Sequence, residues 1–303
     1  MDARTAYQQV LKEVKKHIAG KDEVIELMFI ALIANGHVLL EGVPGVAKTT
    51  MAKVLAAAID AEFNRIQGTP DLQITDIIGY TYMEGNEVKL KSGPIFTNIL
   101  LIDELNRAPP KTTTALLEAL EERQVTVADQ TLPLKRPFIA LATQNPLNIE
   151  GTTSLPKVLA DRFLMRISVT YPTIQEEEEM LRIKEHEEHI KTERVIGTED
   201  ILTFQEDVKD IKISDSVIDY AAKIVNATRT DIHMVMGASP RAEIAFMQCA
   251  KARALLDGRA EVNTDDIKFL ARPVLSHRIV VRATGGIGVN GVIDGIVATL
   301  KTT

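Results

Sequence analysis

Residues 7–17 and 22–34 read as helices, with a break at Ala19-Gly20. From there short apolar runs alternate with helical spacing. His37 to Glu41 reads as a strand ending at Gly42, Lys48 to Ile59 as a helix, and Phe63 to Ile66 as a second strand. Asn98 to Ile102 (NILLI) is a strand, Lys111 to Glu122 is a helix introduced by Pro109-Pro110, and Phe138 to Thr143 and Met165 to Thr170 are further strands. Unbroken apolar runs belong to strands buried on both faces, and helical spacers between them imply parallel crossovers. The pattern predicts an α/β unit: a parallel sheet flanked by helices.

After Tyr171-Pro172 the character changes. Thr173 and Glu176 have the spacing of a capping box and start a long helix, TIQEEEEMLRIKEHEEH. Strand signals then fade, and Ser214 and Ser239-Pro240 mark further helix starts. The expected division is an α/β core over residues 1–172 and an all-α domain over residues 173–303.

Composition narrows the function. The 303 residues are 45% apolar and 25% charged, an ordinary globular balance. Aromatics are only 4% and Trp is absent, so aliphatic side chains must fill the core. The formal net charge of -7 argues against a protein whose main work is gripping nucleic acid. Cys249 is the only cysteine, which excludes an intrachain disulfide and suits a reducing cytoplasm; its apolar surroundings predict a buried filler. The run Met28 to Ala34 is too short to span a membrane, and the opening residues lack the apolar centre of a signal peptide. A cytoplasmic protein without membrane insertion is expected.

The chemistry is concentrated in two segments. Gly42, Val43, Pro44, Gly45, Val46, Ala47, Lys48, Thr49 and Thr50 form a glycine-containing loop between a strand and a helix. In that context backbone N–H groups and the helix N-terminus can cradle phosphates. Lys48 can then reach the β- and γ-phosphates of ATP, and Thr49 can place its hydroxyl on Mg²⁺. Ala47 stands where the pattern G-x-x-x-x-G-K-S/T has its last Gly, so the cradle survives if that residue needs no positive φ. The second segment is ILLIDE, Ile99 to Glu104. Asp103, at the end of a buried strand, suits a water-mediated hold on Mg²⁺, and Glu104 suits polarisation of an attacking water.

The ordered set EGVPGVAKTT (41–50), RIQGTPDLQITDIIG (65–79), GPIFTNILLIDELNRAPPKTTTALLEALEERQVTV (93–127), ALATQNP (140–146), LADRFLMRI (159–167) and GASPRA (237–242) resembles the MoxR family of AAA+ ATPases. The resemblance implies a P-loop AAA+ core with a C-terminal all-α lid, Mg-dependent ATP hydrolysis, and a ring, most simply a homo-hexamer. It further implies protein clients to be remodelled or matured, among them proteins with a von Willebrand factor A domain. By the same resemblance Asn145 is the sensor that orients the attacking water, and Arg162 is an arginine finger acting on the neighbouring subunit's nucleotide. Arg241 is a second sensor reaching the γ-phosphate from the lid, and Ile18 and Ala19 line the adenine pocket. Residues 69–97 match the insert in helix 2 that marks a clade of this family. Gln124 to Leu134 alternates as a hairpin would, and both elements are expected on the ring's axial side, touching substrate. Gln67 is a candidate for the polar residue that holds Glu104 idle.

Two other readings remain open at this level. A nucleic-acid motor of the same class is disfavoured by the acidic charge and by the lack of an appended DNA-binding module. A small-molecule P-loop kinase has no use for a neighbour's finger. Two further patterns are set aside. Gly286 to Gly291 is formally GxGxxG but has too little chain after it for a βαβ unit, and reads as a turn before a last helix. His186 and His189 are spaced i, i+3, not the i, i+4 of a zinc helix.

Overall fold

The computed structural model describes residues 1–145, 155–186, 191–282 and 288–300. Helices α1 (Ala3–Val14) and α2 (Asp22–Ile33) precede β1 (Val38–Gly42), α3 (Lys48–Ala58) and β2 (Phe63–Gln67). A short helix α4 (Ile74–Ile78) leads into β3 (Gly79–Glu84) and β4 (Glu87–Ser92), then β5 (Ile99–Asp103) and α5 (Pro110–Glu122). Next come β6 (Gln124–Val127), β7 (Gln130–Pro133), β8 (Ile139–Gln144), α6 (Lys157–Ala160) and β9 (Met165–Val169). The second half holds α7 (Ile174–His186), α8 (Thr198–Asp210), α9 (Asp215–Thr230), β10 (Met234–Met236), α10 (Pro240–Leu256), α11 (Thr264–Leu275), β11 (Val280–Val281) and α12 (Val289–Thr299).

Among the described residues the main sheet has five parallel strands in the order β2-β5-β8-β1-β9. Its apolar runs are apolar because successive residues face different cores. Val38, Leu40, Ile99, Leu101, Ile139 and Leu141 point to one side, and Leu39, Leu100, Ile102, Ala140 and Ala142 to the other. This is the α/β arrangement read from the sequence. Four strands run one residue further than their apolar stretch, taking in Gly42, Gln67, Asp103 and Gln144. The ladder pairs backbones regardless of side-chain polarity, as in the Gln67–Asp103 and Glu41–Gln144 pairings.

Helix α1 starts earlier than its apolar spacing suggests, because Asp2 accepts a hydrogen bond from the Thr5 N–H at 2.9 Å and caps it. The capping box at α7 forms as read: Thr173 N–H donates to Glu176 at 2.7 Å and Glu176 N–H to the Thr173 hydroxyl at 3.3 Å. Ser214 and Ser239 are the N-cap residues of α9 and α10. The aliphatic core on the α1–α3 side continues without a polar seam into Phe204, Phe246, Leu270 and Ile293 of the helical half. Cys249 lies fully buried there, which pushes its thiol up to about 12. The pairs β3–β4 and β6–β7 form separate hairpins, the first exposing Tyr82, Met83 and Val88. Among the described residues no helix is long and apolar enough to cross a membrane. The spans around His189 and Gly286 fall outside the described residues.

His37 ties the sheet to α5. Its Nε2–H donates to the Leu120 carbonyl at 2.8 Å, and Nδ1 accepts from the Ala140 N–H at 3.0 Å. Protonation would set a second donor against Ala140. Burial, and then the charge of Arg123, hold the imidazole down to about 3 from its ordinary 6.5. The unfolded chain therefore binds this proton first, and folding loses stability as pH falls below 6.5. The expected slope from this group is about 1.4 kcal/mol per pH unit. His37→Gln should flatten it in urea unfolding measured across that window. An unchanged slope in a folded variant would rule out a buried neutral ring.

Candidate active site

The loop between β1 and α3 closes on a cavity of about 390 Å³ that also takes in Asp103, Glu104 and Asn145. Gly42, Pro44, Gly45, Val46, Ala47, Lys48, Thr49 and Thr50 line it; Val43 instead packs against the core. The first N–H groups of α3 have no intrahelical acceptor and carry the positive end of the helix dipole, so the cavity floor is an anion seat. Lys48 Nζ is folded against the carbonyls of Gly42 at 2.5 Å and Val43 at 3.0 Å. Partial burial lowers its pKa, while Asp103 and Glu104 pull it back up.

The condition set at Ala47 is not met, yet the loop keeps its left-handed turn there. Ala47 has φ 60° and ψ 20°, so the position does require a left-handed backbone. Ala accepts that conformation at about 1–2 kcal/mol, where Gly would accept it freely.

Asp103 is 8% exposed and fully engaged. Its Oδ1 accepts from the Thr143 hydroxyl at 3.0 Å, and its Oδ2 from Thr49 Oγ1 at 3.3 Å and Arg65 Nε at 2.7 Å. Glu104 leaves the strand with φ 53°, which turns its carboxylate toward the cavity mouth. There Oε2 accepts from Gln67 Nε2 at 3.2 Å and from Arg107 at 2.9 Å. Gly68 makes this approach feasible: its N–H meets the Asp103 carbonyl at 2.6 Å, and a Cβ would lie 2.2 Å from the Glu104 carbonyl oxygen.

Arg162 and Arg241 do not join this cavity. Arg162 pairs with Glu121 at 2.5 Å, and Arg241 with Glu121 at 3.0 Å and Asp161 at 3.8 Å. Both border a second hollow of about 350 Å³ beside Asn35, Gly36 and His37, at the amino end of β1. The phosphate loop leaves the carboxyl end of that strand, roughly 15 Å away at 3.3 Å per residue. The expectation that Arg241 reaches the γ-phosphate is therefore not met within one chain. Nor do Ile18 and Ala19 line the loop cavity; both are buried, Ile18 in the aliphatic core. The turn that follows them reaches, through Lys21, a third hollow of about 490 Å³ that runs along Arg166 to Thr170 to the lid residues Pro273 and Ser276.

Comparison with known proteins agrees with this arrangement. The model of the ATPase family associated with various cellular activities (AAA) matches residues 37–165, and that of an AAA lid domain matches residues 226–288. Chaperone MoxR1 of Mycobacterium tuberculosis is 40% identical over 285 residues, 90% of this chain and 75% of that protein. The chain belongs to the MoxR family of AAA+ ATPases. The uncharacterized protein YeaC of Bacillus subtilis is 41% identical over 299 residues, 97% of this chain and 93% of that one. The crystal structure of a candidate ATPase from Cytophaga hutchinsonii superposes with a TM-score of 0.92 at 36% identity, covering 99% of this chain and 96% of that one.

Several residues of this MoxR-family site escaped the sequence reading. Arg65 is one, although Arg65 and Gln67 share a face of β2 by strand alternation, opposite Leu101 and Asp103. Thr143 is another, as the hydroxyl that bridges Asp103 and the Glu104 N–H, which it accepts at 2.9 Å. Arg278 had no local signal. It is buried and donates to Asp161 Oδ1 at 3.0 Å and to the Phe163 carbonyl at 2.7 Å, bracing from the lid the turn that carries Arg162.

Ala47→Val should unfold the loop locally, since a β-branched residue tolerates the left-handed region poorly. The expected loss is at least about 1–2 kcal/mol of stability, together with loss of nucleotide affinity in titration calorimetry. Ala47→Gly should instead gain about 1 kcal/mol of stability and keep its nucleotide affinity. Equal behaviour of the two variants would contradict the left-handed assignment.

Proposed function

We propose that this chain binds Mg-ATP and hydrolyses its γ-phosphate in a homo-hexameric ring, and that the cycle remodels a protein client. The observation that carries the reading is the meeting of Lys48, Thr49, Asp103 and Glu104 at one cavity over a helix N-terminus. The Thr49 hydroxyl and the Asp103 carboxylate, 3.3 Å apart, are the hard oxygen donors that Mg²⁺ prefers. Thr49 and Asp103 would hold the ion, which would supply neutralisation of the phosphate charge. The loop N–H groups and Lys48 hold the β- and γ-phosphates. Glu104 accepts the proton of the attacking water, and Asn145 orients that water. The adenine lies toward the hollow beside the Ile18–Ala19 turn. Arg162 and Arg241, at the far end of β1, act together on a neighbouring subunit's nucleotide.

We divide the chain at residue 172 into core and lid. Residues 69–97 and 124–134, which hold both hairpins, are assigned to client contact, in keeping with the exposed Tyr82, Met83 and Val88. The name Chaperone MoxR1 of a relative supports a protein client; a von Willebrand factor A domain protein is the class we propose, and the cytoplasm the compartment.

Glu104→Gln should bind ATP with near-normal affinity and turn it over about 10²–10⁴-fold more slowly, because Gln keeps the shape but cannot take the proton. Phosphate release at the wild-type rate would remove Glu104 as the base.

Arg162→Ala should bind ATP through its own Lys48 yet hydrolyse it about 10³–10⁵-fold more slowly. Lys48→Ala should fail at binding. Mixing the two inactive proteins, with subunit exchange followed by labelled chains, should restore turnover at sites that pair an intact Lys48 with a neighbour's Arg162. Exchange without restored turnover would defeat the trans-acting assignment.

A further inference from the structure

Four side chains at the mouth of the loop cavity form an unbroken polar chain. Arg65 Nε donates to Asp103 Oδ2 at 2.7 Å, Arg65 Nη2 donates to Gln67 Oε1 at 2.8 Å, and Gln67 Nε2 donates to Glu104 Oε2 at 3.2 Å. One guanidinium thus bridges the carboxylate suited to the metal and, through a single amide, the carboxylate suited to the water. The geometry is set by the backbone: Arg65 and Gln67 lie two residues apart on one face of β2, and Gln67 pairs with Asp103 in the ladder. The ends of the chain differ in freedom. The Asp103 side chain is 11% exposed and fixed by Thr143, whereas that of Arg65 is 47% exposed and has solvent to move into.

We propose that Arg65 is a positioning residue that makes release of Glu104 conditional on the divalent cation. This rests on the nucleotide-site reading above. Asp103 Oδ2, which also accepts from Thr49, is the oxygen nearest the position where Thr49 and Asp103 together would hold hydrated Mg²⁺. A guanidinium and a divalent cation compete for that oxygen, by charge and by volume. When the cation wins, Arg65 swings out and its Nη2 leaves Gln67 Oε1. The Gln67 amide, no longer held from behind, turns away from Glu104. Arg107 remains as the partner of Glu104 Oε2, and the carboxylate, held at one point in place of two, can turn toward water. Without the cation, Glu104 stays latched. ATP that arrives without its metal then meets an inactive base.

Because the latch and the cation oppose each other through Arg65, their coupling is reciprocal and can be read in binding alone. The experiment uses the full chain and a fluorescent ADP analogue, first in EDTA and then titrated with Mg²⁺; the midpoint of the metal-dependent change in affinity is the readout. Arg65→Ala should lower the Mg²⁺ midpoint by about tenfold, with each variant's midpoint read against its own affinity in EDTA. Gln67→Ala should lower it less in the wild-type background, and not at all in the Arg65→Ala or Arg65→Lys background. Lys keeps the cation but lacks the fork that reaches Gln67. A midpoint that Arg65→Ala leaves in place or raises overturns the competition. A Gln67→Ala effect that is the same with and without Arg65 overturns the relay. Loss of folding in Arg65→Ala, seen by circular dichroism, leaves the Arg65→Lys comparison to decide between the same two outcomes. If the wild-type chain binds the analogue in neither EDTA nor Mg²⁺, the nucleotide-site reading falls and the relay with it. Binding with an unmoved midpoint removes the relay alone.

Discussion

Asp103 sits at the carboxyl end of the second strand in the sheet and draws three elements onto one carboxylate. Thr143 arrives from β8, Thr49 from α3 and Arg65 from β2. A carboxylate buried to this extent is tolerated only because every oxygen is met by an aimed donor. Those donors are aimed only if the parallel strands hold their register, with Arg65 opposite Leu101 and Gln67 opposite Asp103. A slip of one residue in β2 would send Arg65 and Gln67 to the opposite face, break the ring of contacts and strand the charge. The loop from Gly42 to Thr50, the Gln67 contact on Glu104 and the cavity that they share all hang on this one point of convergence.

The same strands carry chemistry at both ends. At the carboxyl end of β1 lies the anion seat, and at the amino end lie Arg162, Arg241 and the carboxylates of Glu121 and Asp161 that hold them. A stiff sheet keeps these two groups apart within one chain. Any shift of the sheet as a body therefore moves the anion seat and the arginine pair together. In the ring proposed above, such a shift would pass from one subunit's anion seat to its arginine pair.

The lid is not a loose appendage. It shares the aliphatic core of α1–α3, and it reaches the core's functional edge at two points. Arg278 and Ser239 clamp Asp161, next to Arg162, and Ser276 accepts from Arg166, which in turn pairs with Glu41 just before the phosphate loop. Burial lowers the pKa of Arg166, and the charge of Glu41 draws it back. Displacement of the lid is felt at both ends of β1.

Much of this was legible in order along the chain. The loop at Gly42 to Thr50, the ILLIDE strand, the capping box at Thr173 and the helical second half are local patterns. Backbone propensity, apolar run length and motif spacing are local quantities, so sequence determined the α/β class, the loop between β1 and α3 and the acidic strand end. What sequence left open was settled by contact between residues far apart. Whether Ala47 takes a positive φ depends on how β1 and α3 are spaced. Whether Arg241 can meet its own subunit's loop depends on which end of the sheet the lid packs against. The link from Asp103 through Arg65 and Gln67 to Glu104 exists only because β2 and β5 lie side by side, in a register that local pattern does not encode across the 38-position separation of Arg65 and Asp103. Tertiary structure alone decided these, because they are distances between backbone segments rather than properties of any one of them.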